Sequence, residues 1–269
     1  MSQLASQQSR FEVNTVPQSP EPRVSIVIPI FNEAQCIAPV LEEIRTVLAD
    51  RLAYEVIAVD DGSTDATPQI LAAQAALMPS LRRVRHDRCY GKSAALRSGV
   101  QVARGAVIVT LDGDGQNDPT DIPVLVERLA APTGAALGLV AGQRQRRRDG
   151  VLRRWSSTVS NAVRARVLHD AARDSACGLK AFPRHVFLAL PSFEGMHRFL
   201  PALLRREGLE VTFVDVHHRP RLAGRAKYGV WDRLWVGLLD LLVVYWLVRR
   251  AHRPNAVETL SDRNGEDVA

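Results

Sequence analysis

The amino-acid sequence predicts an α/β domain, a mostly parallel sheet covered by helices on both faces. Three observations predict it. Strand-length apolar runs are continuous rather than alternating, as strands buried on both faces require. Amphipathic stretches at helical spacing separate them. Polar clusters follow directly after three of the runs, where ligands bind in such sheets. A chain of 269 residues can spend its whole length on one such domain, and 46% hydrophobic with 24% charged residues is an ordinary globular composition. With a mean hydropathy of -0.08, it excludes a fully disordered chain, a collagen and a protein made mainly of membrane helices.

The elements follow in order. Residues 1–22 are rich in Ser, Gln and Pro and read as a flexible leader. Val24 to Ile28 is a β-branched strand that Pro29 is expected to end. Ile37, Val40, Leu41, Ile44, Val47 and Leu48 then share one helix face. Val56 to Val59 is a second strand, stopping at Asp60, and Thr64 or Asp65 is placed to cap the helix through Ile70 and Leu77. A strand at Arg82 to His86, a helix at Ser93 to Ala103 and a strong strand at Ala106 to Leu111 come next. Pro119 opens a helix through Leu125 and Leu129, and Leu137 to Ala141 is a further strand. Helices are then expected at Arg153 to Leu168 and Met196 to Arg206, with strands at Gly178 to Phe182 and Glu210 to Val216.

Charge narrows the partners. The formal net charge of +6 and a pI near 9.7 point to anionic ligands: nucleic acid, an anionic membrane surface or phosphorylated molecules. Six arginines (144, 146, 147, 148, 153 and 154) gather in eleven residues, with Trp155 as the nearby aromatic. Nucleic-acid binders add stacking aromatics or a groove-entering helix, so nucleic acid is not the expected partner. Cys36, Cys89 and Cys177 are scattered, which argues against a disulfide scaffold or a cysteine zinc site. The polar stretch Met1 to Arg23 does not read as a signal peptide, so a reducing, cytoplasmic location is expected.

The three polar clusters are Asn32-Glu33, Asp60-Asp61 and Asp112-Gly113-Asp114. Taken alone, Asp112-Gly113-Asp114 is an ordinary acidic turn. At a strand end beside two further acidic strand ends, it suggests a hard divalent cation bridging carboxylates and a diphosphate, with Gln116 and Asp118 on the same loop. Gly91-Lys92-Ser93 looks like the end of a Walker loop, but the position five before Gly91 is His86, and no GxGxxG occurs.

The order Pro29…Asn32-Glu33, Asp60-Asp61-Gly62-Ser63, Gly91-Lys92, Asp112-Gly113-Asp114-Gly115-Gln116 and Gly142-Gln143-Arg144 resembles glycosyltransferase family 2. Downstream, Asp174 to Lys180, Gly195 to Phe199, and Arg219-Pro220-Arg221 with Gly224 to Gly229 resemble its dolichol-phosphate mannosyltransferase-like, polyprenyl-phosphate branch. The resemblance covers about residues 23–250. It implies a GT-A fold and an inverting transfer of one sugar, GDP-mannose being the leading donor and a UDP-sugar the alternative. A polyprenyl phosphate at the cytoplasmic membrane face is the implied acceptor, and Mg²⁺ or Mn²⁺ the implied cofactor. A homo-oligomer is compatible with it. The resemblance further implies that Pro29, Asn32, Glu33, Asp61, Lys92, Asp112 and Gly113 bind the donor. Asp112, Asp114 and Gln116 would hold the metal, and Arg144, Arg221 and Lys227 would bind phosphate. Asp174 is then the candidate catalytic carboxylate, and Arg221 the second candidate catalytic residue. Two departures stand out. Ala226 replaces the Ser of the family's GxSKY loop, and Val151 stands at the Gln position of the QxxRW found in processive synthases, which favours single-sugar transfer. A sugar nucleotidyltransferase shares the architecture, but Pro29 to Glu33 lacks the glycine- and basic-rich loop that enzyme needs.

Val230 to Val248 is the last feature, with Asp232, Arg233 and Asp240 as its only charges. Asp240 at the centre of a spanning helix would cost about 2.5–3.5 kcal/mol. With Arg249, Arg250, His252 and Arg253 following, residues 229–250 are expected to lie in an anionic membrane face. The other reading is a helix docked on the domain or in a dimer interface. Residues 251–269 read as a flexible tail.

Overall fold

The computed structural model describes residues 22–131, 136–144, 166–168, 172, 174–221 and 230–250, with side chains from Asp240 onward in the last segment. Its centre is a seven-stranded sheet. In chain order the strands are β1 (Val24–Ile30), β2 (Tyr54–Asp60), β3 (Leu81–Arg85), β4 (Val107–Thr110), β5 (Leu137–Arg144), β6 (Lys180–Pro183) and β7 (Glu210–Val216). They lie side by side as β3-β2-β1-β4-β6-β5-β7. Every strand runs one way except β6, which is antiparallel to both β4 and β5. β1 and β2 are buried almost end to end because helices cover both faces, which is why their sequences are continuous runs of Val and Ile.

The helices are α1 (Ile37–Leu48), α2 (Thr67–Leu77), α3 (Lys92–Val102), α4 (Ile122–Ala130), α5 (Arg184–Ala189), α6 (Leu200–Arg206) and α7 (Val230–Arg249). One apolar layer joins α1, α2 and α4 to the sheet through Ile37, Leu41, Ile44, Leu71, Ile122 and Leu125. The other joins α3, α5, α6 and α7 through Leu96, Val100, Phe187, Leu203 and Val244.

Pro29 lies inside β1, paired with Val59, rather than ending the strand. Strand geometry explains this. Val27 turns its carbonyl toward β4, accepting from Leu111, and Ile30 turns its own toward β2, accepting from Asp61. Pro29 has the parity of Val27, so its missing N–H faces β4 beyond the last pair, Val27 with Thr110. Pro119 opens a 3₁₀ turn, Pro119–Asp121, and α4 begins only afterwards. The expected helix at Met196 to Arg206 is divided into a 3₁₀ turn, Met196–Arg198, and α6, because Pro201 falls in the first turn and a helix restarts there. The N-cap position of α2 is Ala66, without a side-chain cap, and Asp65 one residue earlier accepts from the Thr67 N–H at 2.9 Å. The short α5 has no counterpart in the sequence reading. Most of the expected helix at Arg153 to Leu168 lies outside the described residues, of which 166–168 are helical.

The end of α7 docks on the domain. Val244 is buried, and Leu241, Tyr245 and Val248 pack on the second layer, while Leu242, Val243 and Trp246 stay exposed. Asp240 is partly buried there. Burial raises its carboxyl above the ordinary range, Arg198 opposes the rise and Glu194 adds to it. Among the described residues, no helix is long and apolar enough to cross a membrane.

α3 sits close on the sheet because Gly99 has no side chain. A β-carbon there would come within 2.4 Å of Val27 and 3.0 Å of Val59. Gly99→Val should therefore destabilise the fold by about 1–3 kcal/mol through overpacking. Adding Val27→Ala should recover part of that loss, measured by chemical denaturation of both variants. Additive losses would show that the two positions do not meet.

Candidate active site

The reversed strand decides what gathers at one edge of the sheet. Because β6 runs against its neighbours, its first residue, Lys180, pairs with Thr110 at the end of β4. The residues before it, Asp174 to Gly178, are thereby delivered to the edge that also carries the ends of β1, β2, β4, β5 and β7.

Asp112 is the centre of this edge. Lys92, at the first turn of α3, is bound to its Oδ1. A cation at a helix N-terminus opposes the helix dipole, so this lysine is placed for its carboxylate partner and not for the helix. Gly178 lies directly against the other side, where a β-carbon would come within 2.4 Å of the carboxyl carbon. The Gly178 carbonyl in turn accepts from Thr110 Oγ1 at 2.6 Å. Burial would raise the Asp112 carboxyl, but Lys92, Lys180 and Arg144 outweigh it and hold it below the usual carboxylate range.

Arg144, the last residue of β5, donates through two nitrogens to Asp174, the Nη2 bond measuring 2.8 Å. Both groups are largely buried. Asp174 therefore orients a basic residue. Lys180 is 4% exposed, and its ammonium donates to the carbonyls of Ser175 and Cys177. Three cations, Lys92, Arg144 and Lys180, thus surround two carboxylates, Asp112 and Asp174. His197 Nδ1 lies 2.8 Å from Ser93 Oγ. Burial, reinforced by Lys92 and Lys180, pushes this imidazole well below its ordinary value, so it is neutral at pH 7.

The loop after β4 carries the other predicted metal residues. Asp114 accepts from the Gln116 N–H at 3.1 Å on one oxygen and from Arg221 Nη2 at 2.9 Å on the other. Arg221 also lies 3.9 Å from Glu33. The predicted convergence of the first and third polar clusters is therefore met through a cation. Asp112 and Asp114 face different cations, Lys92 and Arg221, and the described residues contain no group of three His, Cys, Asp or Glu side chains that could hold a metal ion. The donor set itself, two hard carboxylates one residue apart with Gln116 two positions further along the loop, suits Mg²⁺ or Mn²⁺. Lys227 and the Ala226 departure lie outside the described residues.

The remaining predicted donor residues shape the same edge. Asn32 adopts a left-handed backbone (φ 53°), and its Oδ1 accepts from the Thr64 N–H at 2.8 Å, tying the loop after β1 to the loop after β2. A β-carbon on Gly113 would lie 3.4 Å from Ile30, and Pro29 is half-buried in β1. Asp61 turns inward instead of outward. It is 3% exposed and accepts from the N–H groups of Tyr90 and Gly91 at 2.9 and 2.8 Å, from Cys89 Sγ, and from His86 Nδ1 at 2.7 Å. A carboxylate has about four lone-pair sites, and all are used. Asp61 thus fixes the 86–91 loop that leads into Lys92, while His86 passes its other nitrogen to Ser98 Oγ.

Glycosyl transferase family 2 is matched over residues 25–190, and the chain belongs to that family. It is 36% identical over 238 residues to the dodecaprenyl-phosphate galacturonate synthase of Rhizobium johnstonii, covering 86% of this chain and 69% of that protein. It is 38% identical over 224 residues to an undecaprenyl-phosphate 4-deoxy-4-formamido-L-arabinose transferase of Pseudomonas fluorescens, covering 81% of this chain and 63% of that protein. The chain spans about two thirds of the length of these relatives. Its fold resembles glucosyl-3-phosphoglycerate synthase from Mycobacterium tuberculosis in complex with Mn²⁺ and UDP, with a TM-score of 0.65 and 22% identity, covering 90% of this chain and 84% of that one. The architecture is thus GT-A-like, with β6 as its reversed strand, and the chain is a glycosyltransferase.

Gly178, Lys180, His197 and Arg219 lie inside the family motifs, but partners distant in sequence set their roles. Lys180 offers a test of the buried cluster. Burial lowers its ammonium from 10.5 to about 8. Between those values the unfolded chain binds the additional proton, so this lysine makes stability rise from about pH 8 to 10.5 and weighs against the fold below pH 8. Lys180→Met should lower the melting temperature by an offset, from the two carbonyls left without a donor, and flatten that rise. An unchanged slope between pH 7.5 and 10 would contradict the assignment.

Proposed function

We infer that the chain transfers a single sugar, with inversion, from a nucleoside diphosphate donor to a polyprenyl phosphate. One observation carries this reading: the cations Lys92, Arg144, Lys180 and Arg221 alternate with the carboxylates Asp112, Asp114 and Asp174 along one sheet edge. Such an edge suits two phosphate-bearing substrates brought together, because Lys92, Arg144 and Arg221 each have a carboxylate to hold them until a phosphate arrives. The names of the two relatives, both transferring to a polyprenyl phosphate, support the acceptor. Neither name carries mannose, and UDP occupies the solved neighbour, so a UDP-sugar moves ahead of GDP-mannose as donor.

The acceptor phosphate is already an anion at neutral pH, so the reaction has little need of a strong general base. Asp174 then serves by holding Arg144 toward the anions. As the glycosidic bond breaks, charge develops on the leaving diphosphate and oxocarbenium character at the sugar carbon. Lys92 and Arg144 are the cations that would hold that diphosphate charge. A divalent cation bound by Asp112 and Asp114, with Gln116 beside them, would neutralise the leaving group. Pro29, Asn32, Glu33 and Gly113 would shape the donor pocket, and Asp61 supports it by fixing the 86–91 loop. Lys227 remains a phosphate-binding proposal from the sequence.

The test is a transfer assay with labelled UDP-sugars and GDP-mannose, a polyprenyl phosphate, and Mg²⁺ or Mn²⁺. Lipid-linked product from a UDP-sugar is expected, and product from GDP-mannose alone would restore the first donor expectation. Transfer to a protein or a free sugar, with none to lipid, would overturn the acceptor. Asp114→Ala should reduce metal-dependent turnover by roughly 10²–10³-fold, the size expected when one charge-stabilising contact is lost.

Membrane association at the cytoplasmic face belongs to the same proposal. The outer face of α7 presents Leu242, Val243 and Trp246, followed by Arg249 and Arg250. Their guanidiniums lie 5.0 Å from the Tyr245 ring and 5.8 Å from the Trp246 ring, an arrangement suited to an anionic interface. Replacing Leu242, Val243 and Trp246 with Ser should leave the melting temperature nearly unchanged and release the chain from phosphatidylglycerol vesicles in a sedimentation assay. Retention of the triple variant would show that another surface binds.

A further inference from the structure

Beyond β7 the chain runs back along the loop that follows β4. Arg219 N–H donates to the Gln116 carbonyl at 3.0 Å, and His218 pairs antiparallel with Asn117. Side chains of an extended segment alternate in direction, so residues 217, 219 and 221 share a face. Each carries a basic group, and each meets a different acid of the facing loop. His217 donates its N–H to Asp121 at 2.8 Å, with Nδ1 at 2.9 Å from the same carboxylate. Arg219 bridges Asp118 and, at 2.6 Å, Glu43 on α1. Arg221 takes Asp114. The rungs run antiparallel, 217 to 121, 219 to 118 and 221 to 114, so the third falls at the active edge.

We propose that Arg219 is a positioning residue, whose bridge to Asp118 and Glu43 anchors the 217–221 strap and so presents Arg221 to the phosphate of an incoming substrate. The proposal rests on the reading that Arg221 meets a phosphate. Asp118 is prepared for the role. Burial would raise its carboxyl, but the hydroxyl and N–H of Thr120 and the Arg219 guanidinium together hold it below the usual range. Arg219 joins two elements distant in sequence, α1 and the loop after β4, which a single exposed ion pair does not do. Its side chain is 39% exposed, so it contributes little to global stability. Its effect therefore falls on the placement of Arg221.

The test compares Arg219→Gln, Arg219→Lys and Arg221→Ala in the full chain. Hydrogen exchange at the His217 and Arg219 amides reads the anchor directly and needs no activity. In Arg219→Gln both amides should exchange at least several-fold faster with the melting temperature held, and Arg219→Lys should restore part of the protection. Steady-state transfer reads the consequence. Arg219→Gln should raise KM for the polyprenyl phosphate or the nucleotide sugar by roughly three- to tenfold with a smaller change in kcat. In the Arg221→Ala background the same change should add nothing. Unaltered exchange in Arg219→Gln, or an undiminished KM effect after Arg221 is removed, would overturn the proposal. If Arg221→Ala leaves transfer intact, the phosphate role of Arg221 fails, and with it the stated purpose of the anchor, while the exchange data still show whether the strap is held by Arg219.

Discussion

Carboxylates buried at the edge of a sheet must be matched by cations, and here the matching is what joins distant parts of the chain. Asp112 ends the most strand-like run in the sequence. It is reached by Lys92 from the start of α3, faced by Lys180 and Arg144, and backed by Gly178 with no room for another atom. Removing Lys92 would cost Asp112 the cation bonded to it, and a partly buried carboxylate without its partner is expensive. Arg144 and Asp174 solve the same problem together, and Arg221 solves it for Asp114 and Glu33. The electrostatic requirement thus ties together the start of α3, the end of β5, the start of β6 and the segment after β7.

The same pairing prepares the edge for ligands. A cation already held by a carboxylate is oriented and partly desolvated before substrate arrives, so less ordering remains to be done on binding. Supporting residues stand behind these pairs. Asp61 spends all of its acceptor capacity on the loop that ends at Lys92, and His197 stays neutral between Ser93 and the lysines. Neither needs to touch a substrate to matter to one.

The strands were legible because burial on both faces leaves a plain mark, unbroken Val and Ile. The acidic strand ends were legible for the same reason, since each polar cluster interrupts an apolar run. What escaped depended on partners far along the chain. The tolerance for Pro29 within β1 follows from β4 having already ended beside it, and nothing local records that. The direction of β6 is a property of the assembled sheet, because Lys-Ala-Phe-Pro reads alike in either sense. The inward turn of Asp61 is set by amides about 30 residues later, and the bond from Arg219 to Asp118 spans 101 positions. Family motifs single out Asp112, Asp174 and Arg221, but only the geometry shows that each is held by an oppositely charged neighbour.

The reversed strand has a consequence for how such a chain can be altered. β5 and β6 are paired neighbours, with Ala141 opposite Lys180, so the segment between Arg144 and Lys180 leaves and re-enters the sheet at adjoining points. A replacement of different length meets the same two anchors, and loop closure penalises extra length only weakly, by about 0.6 kcal/mol for each doubling. That segment is thus a cassette, flanked by Arg144 at one end and by Asp174 to Lys180 at the other. Strands β1 to β4 pair with one another without it, so its length can change while their register stays in place.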